Sequence, residues 1–162
     1  MMQGKRVADS MVTLAMQMQP HDANHFGNVH GGVVMKQIDN TAGVVAIRHS
    51  GQNAVTASID RLDFHHPVYI GDVLILHARL NHVGRSSMEV EVNVEAETPR
   101  TGERRQTATA FLTFVALDSE GQPAQAPPLI LETPEEINRS RLAKERRKQR
   151  LAEKTQERQS QS

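Results

Sequence analysis

Asp22-Ala23-Asn24-His25-Phe26-Gly27-Asn28-Val29-His30-Gly31-Gly32-Val33-Val34-Met35-Lys36-Gln37-Ile38-Asp39 joins a glycine-rich loop to an apolar helix that carries one carboxylate. Gly31 and Gly32 fall where the first helical turn should begin. Their backbone N–H groups lack intrahelical partners there, and the helix dipole favours negative charge. A carbonyl oxygen developing into an oxyanion suits that position. Asp39 follows about two turns later, among Met35, Ile38, Ala42 and Gly43, where a merely solubilising aspartate would break the pattern. It reads as a carboxylate aimed at a cleft.

Working outward, Val33 to Arg48 is apolar over most of its circumference, with Val34, Ile38, Ala42 and Val45 on one side and Met35 and Ala46 on another. Such a helix is expected to be buried and wrapped by a sheet. Met11 to Gln19 alternates and predicts a strand before the loop. After the turn residues Ser50 to Asn53, further strands are predicted over Ala54 to Val68, Asp72 to Val83, Ser87 to Thr98 and Arg104 to Asp118. In the third of these, Met88, Val90, Val92, Val94 and Ala96 alternate with Glu89, Glu91, Asn93, Glu95 and Glu97. One face therefore meets the core and the other meets water or a partner. Short links such as Gly84-Arg85-Ser86 imply antiparallel neighbours. A strand, a buried helix and four antiparallel strands describe an α+β hotdog fold, a sheet curled around one central helix.

The 162 residues and 18.0 kDa suit one domain. Residues 1–131 are read as that domain and residues 132–162 as a basic C-terminal helix and tail. Thr133-Pro134-Glu135-Glu136 is a capping box that opens a polar helix reaching to about Glu157, with apolar Ile137, Leu142 and Leu151 too sparse for a strong stripe. From Thr133 onward there are 9 Lys/Arg against 5 Asp/Glu, leaving 10 against 14 before it. Tail and body thus carry opposite charge. The absence of cysteine removes disulfides, thiolate metal sites and a cysteine nucleophile. No apolar run is long enough to span a bilayer, and no leader pattern opens the chain. The cytoplasm is the expected location.

The chain resembles the acyl-CoA thioesterases of the hotdog superfamily, the group holding brain-type acyl-CoA hydrolase and the bacterial broad-range acyl-CoA thioesterases. Asp22-Ala23-Asn24, then Gly27-Asn28-Val29-His30-Gly31-Gly32 and Ile38-Asp39 carry the resemblance, with support from Asp60 to Phe64, Pro67, Val68, Gly71 and Asp72, and from Gly84 to Ser87. It spans roughly Met11 to Asp118. It implies hydrolysis of acyl-CoA to a fatty acid and CoA without a cofactor. Asn24 and Asp39 would be the catalytic pair, contributed by opposite subunits of a homodimer that assembles further as a trimer of dimers. Asp39 would act as general base on water, or as a nucleophile through a mixed anhydride. Gly31 and Gly32 would supply oxyanion donors. Gly84, Arg85, Ser86 and Ser87 would bind the CoA phosphates, and Phe64 and Pro67 would line the acyl and pantetheine path.

Bland readings stand beside these. Asn24 in Asp-Ala-Asn-His-Phe-Gly is ordinary turn chemistry, and Gly84 to Ser87 is also a plain hairpin turn. His21, His25 and His30 lie in a loop rather than at helical i, i+4 spacing, and His65 and His66 point to opposite faces of a strand, so no metal site is expected. Gly84-Arg85-Ser86-Ser87 lacks the second glycine of a nucleophile elbow. Arg139 to Arg150 holds seven basic residues and one Glu, but lacks the interleaved aromatics of a nucleic-acid surface and the apolar face of a membrane helix. The rival function is a non-catalytic acyl-CoA-binding regulatory module. A hotdog hydratase is disfavoured, because the helix lacks the aspartate and histidine spacing of that chemistry.

Overall fold

In the computed structural model, which describes residues 2–161, a five-stranded antiparallel sheet curls around one helix. The elements run β1 (Lys5–Arg6), β2 (Val12–Gln17), α1 (Gly31–Ser50), β3 (Asn53–Phe64), β4 (Val73–Val83), β5 (Ser87–Thr98), β6 (Glu103–Leu117), β7 (Leu129–Ile130) and α2 (Pro134–Ser160). The sheet order is β2-β4-β5-β6-β3, while β1 and β7 form a small parallel pair. The edges of the main sheet are therefore β2 and β3.

The alternation in β5 behaves as predicted on its inner face. Met88, Val90, Val92, Val94 and Ala96 are all fully buried against α1, together with Ile38, Val45, Leu76 and Leu112. Alanines at positions 78, 96, 108, 110 and 116 line the same concave face and leave room for the helix to approach the sheet. The outer face differs from the sequence expectation at Glu89, which is 6% exposed. It is covered by α2, whose Arg146 makes a two-pronged ion pair to it, with Nη2 to Oε1 at 2.6 Å and Nε to Oε2 at 3.2 Å. The same guanidinium lies 4.0 Å above the Phe111 ring, and Arg150 of the next turn pairs with Asp60 of β3. The helix docks through charge and small residues, Ser140 and Ala143 being buried, rather than through an apolar stripe.

Element ends shift for local reasons. α1 starts at Gly31 rather than Val33 because His30 caps it, its Nδ1 accepting from the Gly32 N–H at 3.0 Å. It ends at Gly51, whose φ of 67° is the left-handed conformation of a C-cap. β3 stops at Phe64, short of Pro67, which has no N–H for a ladder. The capping box at Thr133 forms as read, with the Glu136 N–H donating to Thr133 Oγ1 at 3.1 Å. α2 then extends past its docked part, and residues 151–160 are exposed throughout.

His49, in the last turn of α1, is fully buried and donates from Nε2 to the Pro127 carbonyl at 2.7 Å, while its Nδ1 has no partner. Burial above all, with the Lys5 charge adding to it, holds its pKa below the ordinary 6.5, against opposing contributions from the Pro127 hydrogen bond and Asp9. The unfolded chain therefore takes up a proton first as pH falls. His49's contribution is complete above about pH 6.5 and declines below it. Half-buried His82 acts in the same direction. Urea midpoints between pH 7.5 and 5.5 are expected to fall with acidity, and less steeply in His49→Gln, which keeps a donor to Pro127; equal slopes would show that His49 is not responsible.

Candidate functional site

The loop before α1 is built on Asn24. Its Oδ1 accepts from the N–H groups of Phe26 at 2.9 Å and Asn28 at 3.2 Å, and its own N–H donates to Asn28 O at 2.7 Å. The turn reading is thus realised, and it fixes the carboxamide. With the oxygen committed, the Nδ2 donors are left for another acceptor. The loop is tied to the body through Val29 N–H to Val68 O at 2.8 Å and His30 N–H to Asp22 O at 2.8 Å. Its tip presents Phe26, 81% exposed, with its ring tilted against that of His25 at a centroid distance of 4.3 Å.

A cleft of about 280 Å³ opens at the start of α1, lined by Val29, Gly31, Val34, Phe64, His65 and Pro67 among others. The structure brings three of the predicted residues together here. The Phe64 ring lies 3.8 Å from where a Cβ on Gly31 would stand. The two predicted oxyanion donors part company, because the Gly32 N–H is already bound by His30. Among the described residues, the Gly31 N–H donates to no protein group. Gly31 is the donor that remains open to a ligand at the positive end of the helix.

Asp39 stands elsewhere on α1, half-buried, with its Oδ1 accepting from the hydroxyl of Thr56 at 2.6 Å. That bond orients the carboxylate and leaves Oδ2 available. Met35, one turn before it on the same face of the helix, is 41% exposed in the single chain. Thr56 is a candidate the sequence reading passed over, because threonine in a strand is unremarkable and only the fold sets its hydroxyl against Asp39. Thr56→Val is expected to lower turnover of a substrate about tenfold, the order of one charge-assisted hydrogen bond, with Thr56→Ser largely retaining it. Equal turnover in the valine variant would exclude the positioning role.

No hydrogen bond joins Asn24 to Asp39 among the described residues. Gly84 to Ser87 form the β4–β5 turn at the sheet's rim, pinned by Ala126 N–H to Arg85 O and Ala116 N–H to Ser86 O. The predicted residues therefore fall in three places: the loop and cleft, the Asp39–Thr56 pair, and the rim turn. Among the described residues no three His, Cys, Asp or Glu are placed to hold a metal ion, and no helix is long and apolar enough to cross a membrane.

A family profile described as the thioesterase superfamily matches residues 26–103. An uncharacterized acyl-CoA thioester hydrolase of Bacillus subtilis is 44% identical over 129 residues, covering 80% of this chain and 75% of that one. A cytosolic acyl coenzyme A thioester hydrolase of Rattus norvegicus is 40% identical across 82% of this chain, which spans only 35% of that longer protein. Among solved structures, an acyl-CoA hydrolase from Staphylococcus aureus in complex with butyryl coenzyme A, coenzyme A and coenzyme A disulfide superposes with a TM-score of 0.88 at 35% identity, covering 96% and 95% of the two chains. Alanine variants of that hydrolase at an aspartate, an asparagine and a threonine superpose equally well. An apo-hexameric acyl-CoA thioesterase gives 0.89 at 38% identity, over 93% and 97%.

Proposed function

Since the chain belongs to the hotdog-fold acyl-CoA thioester hydrolases of the thioesterase superfamily, we propose that it hydrolyses acyl-CoA to a fatty acid and CoA at sites shared between two subunits. One spacing carries the second half of that reading. Gly31 and Asp39 lie eight residues apart on one straight helix, about 12 Å along its axis, whereas a base and an oxyanion donor must both lie within about 3 Å of the reacting group. That separation supports drawing the two groups of one site from different subunits.

A second copy resolves the separation. β3 is an edge strand of 12 residues, with Val55, Ile59 and Phe64 exposed, and such an edge is a template for another strand. Its two ends carry the two half-sites, Thr56 beside Asp39 and Phe64 beside Gly31. Antiparallel pairing of two β3 strands, centred near Asp60, would set each Thr56 against the partner's Phe64. Two equivalent sites then form per homodimer, each with the Asp39 of one subunit facing the Asn24 and Gly31 of the other. A trimer of such dimers accords with the hexameric relative.

In each site Asp39 Oδ2 takes a proton from water as the oxygen attacks the thioester carbonyl. The Gly31 N–H meets the developing oxyanion, and Asn24 Nδ2 donates to the thioester. The C–S bond breaks, and the thiolate leaves as CoA with the proton Asp39 received. Phe64 and Pro67 line the approach of the acyl and pantetheine chain, Gly84 to Ser87 meet the CoA phosphates, and no cofactor is required.

Thiol release from a panel of short- to long-chain acyl-CoAs tests this directly. Saturable release by the wild-type chain is expected. Binding of CoA without release from any member would instead support the regulatory acyl-CoA-binding module.

A further inference from the structure

The loop that carries Asn24 hangs on a small ladder beside the main sheet. Ala23 bridges Val29 and Asn28 bridges Tyr69, both antiparallel, and the Val29 N–H donates to Val68 O at 2.8 Å. The Asn28 N–H in turn donates to Asn24 Oδ1 at 3.2 Å, while the Asn24 N–H donates to Asn28 O at 2.7 Å. The placement of Tyr69 is thus handed to the Asn24 carboxamide through Asn28.

A buried ion pair sets the place of Tyr69. Asp72 is 4% exposed, and its Oδ2 accepts from the Tyr69 N–H at 3.0 Å and from Arg105 Nη2 at 2.6 Å. Arg105 stands in β6, and its Nη1 donates to Thr98 Oγ1 of β5 at 3.0 Å. The planar fork therefore joins the Asp72 turn to two strands of the main sheet, a task that a point charge on a flexible stem performs less well. The guanidinium carbon also lies 5.5 Å from the centroid of the Tyr69 ring, within reach of a cation–π contact. Backbone bonds hold the other end of the turn, with the Gly71 N–H donating to Met18 O at 2.9 Å and the Met18 N–H to Asp72 O at 2.8 Å. Loss of the ion pair should accordingly loosen the Tyr69 end while the turn stays attached to β2.

We infer that Asp72 and Arg105 are positioning residues for Asn24: the pair fixes Tyr69, Tyr69 fixes Asn28, and Asn28 fixes the oxygen of Asn24 so that its Nδ2 is aimed at the thioester. Neither Asp72 nor Arg105 lines the cleft, so both act through the loop. The inference rests on the hydrolase reading for what Asn24 does, but not for what holds it.

The test uses the full chain as wild type, Asp72→Asn, Asn24→Ala and the double variant. Thiol release from butyryl-CoA gives kcat and KM, with enough enzyme to measure the residual rate of Asn24→Ala, and hydrogen exchange is followed over residues 22–30. Asp72→Asn keeps an oxygen for the Tyr69 N–H and removes the charge that holds Arg105. It is expected to lower kcat about tenfold, the order of one charge-assisted hydrogen bond, with KM unchanged. Exchange over residues 22–30 should quicken while that of β5 stays as it was. In Asn24→Ala no carboxamide is left to place, so the same substitution should leave kcat where it is, the non-additivity of residues acting as a unit. Arg105→Lys, which keeps the charge without the fork, should recover part of the kcat lost in Arg105→Met. A pair that merely supports the fold would lower kcat by the same factor with and without Asn24. That result, or exchange over residues 22–30 equal to wild type, overturns the inference. Quickened exchange in Asp72→Asn, in a protein whose Asn24→Ala variant keeps full turnover or whose wild type releases no thiol, sustains the hold on the loop and overturns the hydrolase reading of Asn24 instead.

Discussion

Asp39→Ala is expected to lower turnover of acyl-CoA by about 10²- to 10⁴-fold, the range for removal of a positioned general base, with KM little changed. At the α1–β3 contact the carboxylate's Oδ1 is already held by the Thr56 hydroxyl. Oδ2 is therefore the atom that can receive a proton from water. Asp39→Asn separates charge from shape, since an amide oxygen still accepts from Thr56 but has no basic lone pair comparable to a carboxylate's. It should lose turnover as deeply as the alanine variant with unfolding midpoint and oligomeric state unchanged. Stopped-assay thiol release at saturating substrate decides it. Retention of more than about a tenth of wild-type turnover in Asp39→Asn would remove Asp39 from the chemistry.

Arg146→Ala is expected to destabilise the fold, or at least the docking of α2, by about 3 kcal/mol. Glu89 is 6% exposed and its carboxylate is satisfied by Arg146 and by Asn81 Nδ2 at 3.2 Å. Deleting the guanidinium leaves a buried charge uncompensated, which costs far more than an exposed pair is worth. The lost contact with Phe111 adds to this. Glu89→Gln combined with Arg146→Met, which removes both charges and keeps the bulk over the ring, should recover most of the loss. Urea unfolding gives the energy, and hydrogen exchange over residues 134–150 shows whether the helix detaches before the sheet unfolds. A single variant as stable as wild type would show that α2 is held by other contacts.

These contacts also mark where the sequence was legible. The inner face of β5 and the all-round apolar character of α1 could be read because burial imposes a period, and the period is visible in one dimension. The outer face could not be read in the same way. Alternating Glu89, Glu91, Glu95 and Glu97 look like a solvated face, and only the fold reveals that the first of them lies beneath Arg146. In α2 the sparse Ile137, Leu142 and Leu151 make no strong stripe, and the small and charged side chains that dock its first half leave no periodic signature in the sequence.

At the site, Gly31, Phe64 and Pro67 were identified and do share one cleft. Gly31 and Gly32 are not equivalent in the structure, because the neighbouring His30 accepts from one of the two N–H groups as a cap. Asn24 realises the turn reading through its oxygen, and among the described residues its Nδ2 makes no hydrogen bond. Thr56 carries no motif of its own and is recognisable only from the 2.6 Å contact.

The claim that each site is assembled from two subunits is tested most directly by mixing Asn24→Ala and Asp39→Ala homo-oligomers, each inactive, after dissociation and reassociation at equal amounts. If Asn24 and Asp39 meet across the interface, every mixed dimer regains one intact site, and thiol release should return to about a quarter of the wild-type level for random pairing. If each chain's own Asn24 and Asp39 work together, no mixed dimer holds an intact site, and a mixture as inactive as its parents, with mixed dimers shown to have formed, would contradict the account.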